Sequence, residues 1–387
     1  MPNPLINLSK VLGNLAERAD LLPAMGGAVE DLAHPEVEEM EDRLINREER
    51  IFEFVLERPV TPLYRPVPPL HRAERHPFRY FLDGSARSYF LGTLLEHGRD
   101  SPVHFAQIGA SLLRRADDGS VKIEGLWLKD LLFLARSRVS DALWAFLEGA
   151  VQAFPNIAGR PLILASITGD EGEEDYTKYL SPEVDLRSKA GGKVRLAMRR
   201  LEVEALSARL KTLGQEEWVI VDGSLMFGPL RVALEALPEP RVLGVGKSFR
   251  TDPVFSIGKG VKAEQIPLTR LLADLPEAHR TVAFGAKGGR VAFWYVRIRP
   301  QGAVDYPLMG VIKVELVNPA QGAVETGLID FLSRCLVAER SVTPYGMERR
   351  WHACLYPVCL AEQAVKNAFF SREVVRASLR LPIPLRR

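Results

Sequence analysis

The chain has 387 residues, 47% of them hydrophobic and 26% charged, with 51 Lys and Arg against 49 Asp and Glu for a formal net charge of +2. That balance fits a globular protein of one large or two smaller domains, and the charge alone announces no nucleic-acid partner. No apolar run approaches the roughly 18 residues of a membrane span and the N-terminus lacks the basic, apolar, small-residue order of a signal peptide, so membrane insertion and secretion are not expected and a cytoplasmic protein is.

From Leu5 to about Leu56 the apolar spacing predicts amphipathic helix, the charged stretch Glu36 to Arg50 suggesting a solvated or partner-facing one. The prolines between Pro59 and Pro77 then predict an extended surface linker, so residues 1–77 read as a helical extension plus linker and residues 78–387 as the main domain. Phe78 to Leu82 reads as a strand that ends in Asp83-Gly84-Ser85. Val103 to Ala110 is its expected antiparallel neighbour and Val121 to Leu126 a third strand. Helical spacing follows from Leu131 to Phe154, a strand from Arg160 to Ile167, and an acidic surface loop from Gly169 to Asp175 whose residue order does not fit an EF-hand.

A long helix, Arg187 to Leu213, leads into the strand Trp218 to Val221 and a second tripeptide, Asp222-Gly223-Ser224. After it come a short helix (Gly228 to Leu237), a buried strand (Arg241 to Val245) with Lys247 at its end, a hairpin (Val291 to Arg299 and Leu308 to Val317), and a helix from Ala323 to Glu339. Tyr356-Pro357 opens the closing helix, expected to reach Leu379. Cys335, Cys354 and Cys359 cannot all pair and match no zinc spacing, so buried reduced thiols are expected.

The doubled Asp-Gly-Ser carries the chemistry. Hard divalent cations want carboxylate oxygens held by rigid elements, and two strands that each end in aspartate supply them, although an Asp-Gly after a strand is also an ordinary turn. Eight basic residues lie between Arg187 and Lys211, and a second basic cluster runs from Arg372 through Arg376 and Arg380 to Arg386 and Arg387. Phosphate contacts or a solvated helix face account for either cluster.

An Asp-bearing strand, two antiparallel followers, a helix, further strands with a second Asp and a closing helix outline a ribonuclease-H-like core. On Asp83-Gly84-Ser85, Arg199-Arg200 with Glu202, Val221-Asp222-Gly223-Ser224-Leu225, Val245-Gly246-Lys247-Ser248 and Tyr356-Pro357-Val358-Cys359-Leu360-Ala361-Glu362, the chain resembles the NurA family of DNA-end-processing nucleases from about residue 78 to 375. The resemblance implies an α/β, RNase-H-like (Piwi-like) mixed sheet flanked by helices. It also implies a manganese- or magnesium-dependent 5′–3′ exonuclease, with single-strand endonuclease activity in its range, that acts in end resection and double-strand break repair. The family dimerises and docks on a hexameric HerA-like ATPase. The chain itself has no Walker sequence, so ATP hydrolysis belongs to that partner.

On this reading Asp83 and Asp222 hold the metal and the helix before Asp222 supplies a third carboxylate. Glu202 and Glu204 stand about 200° apart around that helix, and Glu202 borders the stripe formed by Leu196, Val203, Leu206, Leu210 and Leu213, which favours Glu202 and leaves Glu204 in reserve. Lys247 is expected to stabilise charge on the phosphate, Arg199 and Arg200 to join it in contacting DNA, and Tyr356 to orient a water or phosphate oxygen. Where the family carries a histidine on the closing helix this chain has Glu362, so either Glu362 takes that ligand position or His352 approaches from the preceding segment. The alternative is a catalytically weak subunit that guides DNA and assembles with the translocase.

Overall fold

The fold is a computed structural model that describes residues 3–30, 51–52, 55–59, 62–71, 74–169, 185–257, 264–300, 308–342 and 352–379, with side chains left aside at 25–30 and 51–52. It is mixed α/β: among the described residues, a large mixed sheet of thirteen strands flanked by helices. Three long antiparallel strands form its middle, β2 (Phe78–Glu96), β3 (Arg99–Arg115) and β4 (Val121–Leu134). Beside β2 on its other edge lies β6 (Trp218–Asp222), parallel to it, and then β7 (Val242–Gly246), parallel again. The hairpin β8 (Val291–Arg297) and β9 (Val311–Val317) continues the sheet antiparallel, while β5 (Arg160–Ser166) extends the far side parallel to β4.

Alternation along β2 and β6 sorts their side chains between two layers. Tyr80, Leu82, Val219 and Val221 pack against α3 (Leu186–Leu210) and with Leu230 and Leu234 of α4 (Gly228–Glu235), whereas Phe81 and Ile220 pack with Ile329 and Leu332 of α5 (Thr326–Ala338) and Val358 and Ala361 of α6 (Tyr356–Ala368). A third cluster joins the outer halves of β2 to β4 to α1 (Ile6–Ala16) and α2 (Asp141–Ala153). Among the described residues no helix is long and apolar enough to cross a membrane.

Several expectations change. Among the described residues the helix expected from Leu5 to Leu56 is helical over Ile6–Ala16, after which β1 (Asp20–Glu30) pairs antiparallel with Ser88 to Leu95 of β2. A free sheet edge offers backbone partners that local helical spacing cannot match; Glu36 to Arg50 lies wholly outside the described residues. The proline-rich stretch is no surface linker. Tyr64–Pro66 forms an edge strand against His279–Thr281, and Leu56, Val67 and Leu70 are buried in the main core.

The helix expected from Leu131 begins only at Asp141, capped by the Ser140 hydroxyl, because Leu131 to Leu134 complete β4 between two covered faces and an apolar run of that kind has no period to read. The closing helix breaks at Phe369 to Ser371, and α7 (Arg372–Ser378) restarts with Ser371 as its cap. Cys354 and Cys359 form a disulfide, with Cα atoms 6.7 Å apart, while Cys335 is free and buried. The turn into α6 brings the pair within bridging range, which the five-residue spacing did not reveal. The acidic loop beyond Gly169 and the C-terminal Arg380, Arg386 and Arg387 lie outside the described residues.

The break after α6 is clamped by polar groups of the sheet. Arg87 donates to the Phe370 carbonyl at 2.9 Å, the Phe370 amide donates to Gln107 Oε1 at 2.8 Å, and Arg160 donates to Gln107 Oε1 at 3.2 Å and to the Ala368 carbonyl. Beneath them Asp130 is fully buried, neither carboxylate oxygen has a hydrogen bond, and Arg160 stands 4.0 Å away. Burial pushes its pKa up to about 7, against the pull of Arg160. The folded chain therefore holds a proton that the unfolded chain releases, and stability falls as pH rises from about 4 to about 7. Comparison of urea midpoints across that window should show Asp130→Asn escaping a loss on the order of 3 kcal/mol; parallel pH profiles for variant and wild type would contradict this.

Candidate metal centre

Strand β6 lies in register with β2 so that Val221 sits beside Leu82, which makes Asp222 and Asp83 neighbours on adjacent strands about 4.8 Å apart. Alternation places both on the α6 side of the sheet, since Phe81 and Ile220, two positions earlier, face that side. Asp222 ends its strand as expected. Asp83 does not: Asp83, Gly84 and Ser85 continue β2 and pair with Ser111, Ala110 and Gly109. Among the described residues, the β6 pairing with β2 ends at Val221 beside Leu82 and the β1 pairing reaches only to Ser88, so the two aspartates stand between the two paired stretches of that edge.

The turn after Asp222 requires its glycine, because Gly223 has φ +92° and the Arg199 guanidinium lies against the position a Cβ would fill. Glu315 of β9 secures this turn: its carboxylate accepts from Ser224 Oγ at 2.7 Å and from the Leu225 amide at 2.8 Å, and meets Lys313 Nζ at 2.6 Å. Sequence reasoning missed Glu315. A lone pair of charges inside Val311-Ile-Lys-Val-Glu-Leu-Val317 was the available signal, because charged residues in a central strand are rarely buried without partners.

Lys247 donates from Nζ to Asp222 Oδ2 at 3.1 Å. Burial would lower its pKa, but Asp222, Asp83 and Glu362 outweigh that effect and hold the ammonium above its ordinary value. Asp83, 4% exposed, is raised well above the usual carboxylate range, first by burial and then by repulsion from Asp222; Lys247 opposes this and Glu362 and Glu202 add to it. Asp83 Oδ2 and Asp222 Oδ1 are both buried without a hydrogen-bond partner.

The two candidate third carboxylates come from opposite sides. Glu202, buried on α3, packs its carboxylate into the space left by the missing side chain of Gly84, and it takes a hydrogen bond from Arg199 at 3.2 Å. Gly84 faces the layer opposite to Asp83, so Glu202 reaches the aspartates from behind the sheet. Glu362 stands on α6 on the aspartates' own face, half-exposed and ion-paired with Lys366 at 2.8 Å. Glu204 points outward to Lys129 at 2.7 Å.

The structure does not bring every expected residue here. Tyr356 is 56% exposed at the start of α6, about 9 Å of helix rise from Glu362. His352 precedes that helix with its carbonyl accepting from Arg299, and it is not among the groups that perturb Asp83 or Lys247. Arg199 donates at 3.3 Å to the Asp222 carbonyl as well as to Glu202, which makes it a brace between two carboxylate-bearing segments. Arg200 follows it half-buried, about 100° further around α3. Other cations of this run also turn inward: Arg187 stacks 4.0 Å over Phe90 and Arg209 lies 3.9 Å over Tyr80.

Among the described residues no three His, Cys, Asp or Glu side chains form one ligating set. The donor chemistry nevertheless fits a hard divalent cation: two adjacent carboxylates that repel each other, each with an uncapped buried oxygen, and a third carboxylate on either side. No known family's sequence profile matches the chain, and no curated protein matches it.

Proposed function

We propose that the chain is a metal-dependent phosphodiester hydrolase acting on DNA, built on an RNase-H-like core. The observation that carries the reading is the pair of buried, uncapped oxygens on Asp83 and Asp222, which is costly as two repelling charges and is relieved by a cation. The strand arrangement supports it: an antiparallel β2-β3-β4 meander, with parallel β6 beside β2 and parallel β7 beyond. Asp83 and Asp222 would hold the manganese or magnesium ion, with Glu202 or Glu362 as the further ligand. Such an ion neutralises charge on the scissile phosphate and lowers the pKa of a bound water.

The remaining work belongs to the chain's own groups. Glu315 and Arg199 fix the Asp222 turn, so that its carboxylate keeps one orientation. Lys247, already charged and pointed at Asp222, supplies a cation where negative charge builds on a phosphate. By its family resemblance the protein would work as a homodimer on linear DNA ends delivered by a HerA-like hexameric ATPase.

Linear DNA incubated with the purified chain and manganese should be degraded, and chelator should stop it. Asp222→Asn should lower the rate by about a thousandfold, roughly 4 kcal/mol of barrier. Glu202→Gln and Glu362→Gln separate the two candidate ligands: the true one should raise the manganese concentration needed for half-maximal rate by about tenfold or more, and the other should leave it unchanged. Cleavage that survives chelator or Asp222→Asn would remove the metal-site reading.

A further inference from the structure

At the opposite end of the strands that carry Asp83, the start of β2, the end of β3 and the start of β4 surround a cavity of 540 Å3 lined by five cations and four carboxylates. Three of the cations are neutralised. Arg75 meets Glu216 at 2.6 Å, Arg79 meets Asp117 at 2.6 Å, and Arg115 forms a two-pronged pair with Glu339 at 2.5 and 2.6 Å. The other two lining carboxylates, Glu124 and Glu217, are turned to Arg209 at 3.8 and 3.4 Å. Arg114 and Lys122 are left. They are direct cross-strand partners on β3 and β4, and among the described residues neither side chain makes a hydrogen bond or ion pair.

Like charges placed directly opposite on neighbouring strands repel; Glu124 and Glu217 share Arg209, and Asp118 in the neighbouring turn attracts Lys122 but, among the described residues, forms no ion pair with it. We propose that Arg114 and Lys122 form a binding site for a phosphate group, carried either by a free nucleotide or by a nucleic-acid strand. The guanidinium fork matches two oxygens of a tetrahedral phosphate and the lysine ammonium takes another as a point charge. The cavity is of the size that holds a mononucleotide. Arg114 sits opposite Tyr80, three positions before Asp83 and thus about 10 Å away along β2, on the other face of the sheet. The site does not depend on the hydrolytic reading, because anion binding is measured without cleavage.

The test titrates the full chain in chelator at low salt with inorganic phosphate, deoxyadenosine monophosphate and a single-stranded oligonucleotide. Arg114→Gln/Lys122→Gln should weaken binding about tenfold or more, and the oligonucleotide's salt slope should fall by about 0.7 for each lost contact. Loss of phosphate and mononucleotide binding supports the site with a free nucleotide as its source. Loss confined to the oligonucleotide supports it with a strand phosphate as its source. Because both residues are exposed, the variant is expected to melt like the wild type. No binding of any probe by the wild type, unchanged binding by the variant, or an equal loss in the charge-matched Arg231→Gln/Arg270→Gln would overturn the proposal.

Discussion

Asp83→Asn is expected to lose cation-dependent DNA cleavage by about a thousandfold or more, roughly 4 kcal/mol of barrier, while the same variant in chelator melts a few degrees higher than the wild type. The two effects have one cause. Asp83 is buried beside Asp222, and both burial and that neighbour raise its pKa well above the carboxylate range. The folded state therefore keeps a proton that the unfolded chain gives up, so the associated stability is lost as pH rises from the ordinary aspartate range toward the folded pKa.

An asparagine of nearly the same shape carries no charge to desolvate, and its amide can donate to Asp222 Oδ1, which has no hydrogen bond. The melting difference should thus widen from acid toward neutral pH. Manganese should raise the wild-type melting temperature and leave the variant's almost unmoved, because a ligand stabilises only the state that binds it. Activity near the wild-type level would sink the site; loss of stability together with activity would make Asp83 a packing residue.

Arg280→Met is expected to be the costliest single change to stability, at about 3 to 5 kcal/mol. Arg280 and Glu57 are both fully buried, joined by two hydrogen bonds of 2.6 and 2.9 Å, and Glu57 also accepts from the Ala283 amide at 2.9 Å. Removal of the arginine strands the carboxylate in the core. Arg280 further donates at 2.7 Å to Asp330, where burial works against the charge but Arg65 and Arg280 outweigh it and hold the carboxyl below its usual range. That contribution is present at neutral pH and is lost as pH falls through the folded pKa.

Denaturant titration of Glu57→Leu/Arg280→Met provides the check, because removal of both charges should recover most of the loss. A cost below about 1 kcal/mol for the single variant would mean that the pair contributes little. This network also explains why residues 55–58 and 64–66 lie against the sheet, since their ion partners Arg280 and Asp330 belong to a distant strand and helix.

Local pattern made much of the architecture legible. The apolar runs from Phe78, Val103, Trp218, Val242, Val291 and Val311 lie in strands because their side chains meet covered faces, and Pro357 opens α6 where a missing amide costs nothing. Helical geometry separated Glu202 from Glu204, and the two do sit apart, one against Gly84 and the other on Lys129. What pattern could not carry were relations between distant segments. The strand pairing of Asp20–Glu30, the burial of Leu56, Val67 and Leu70, and the Cys354–Cys359 bridge each need a partner that local sequence does not name.

The residue types of the candidate centre, their order, and the turn that Gly223 permits are written in the chain, because they follow from local propensity and side-chain chemistry. Folding alone decided that Asp83 is met in mid-strand, that it lies beside Asp222 across a parallel register, and that Glu202 and Glu362 arrive from opposite faces of the sheet. Register and layer assignment come from burying both faces of one sheet at once, a condition set by the whole chain and by no single segment of it.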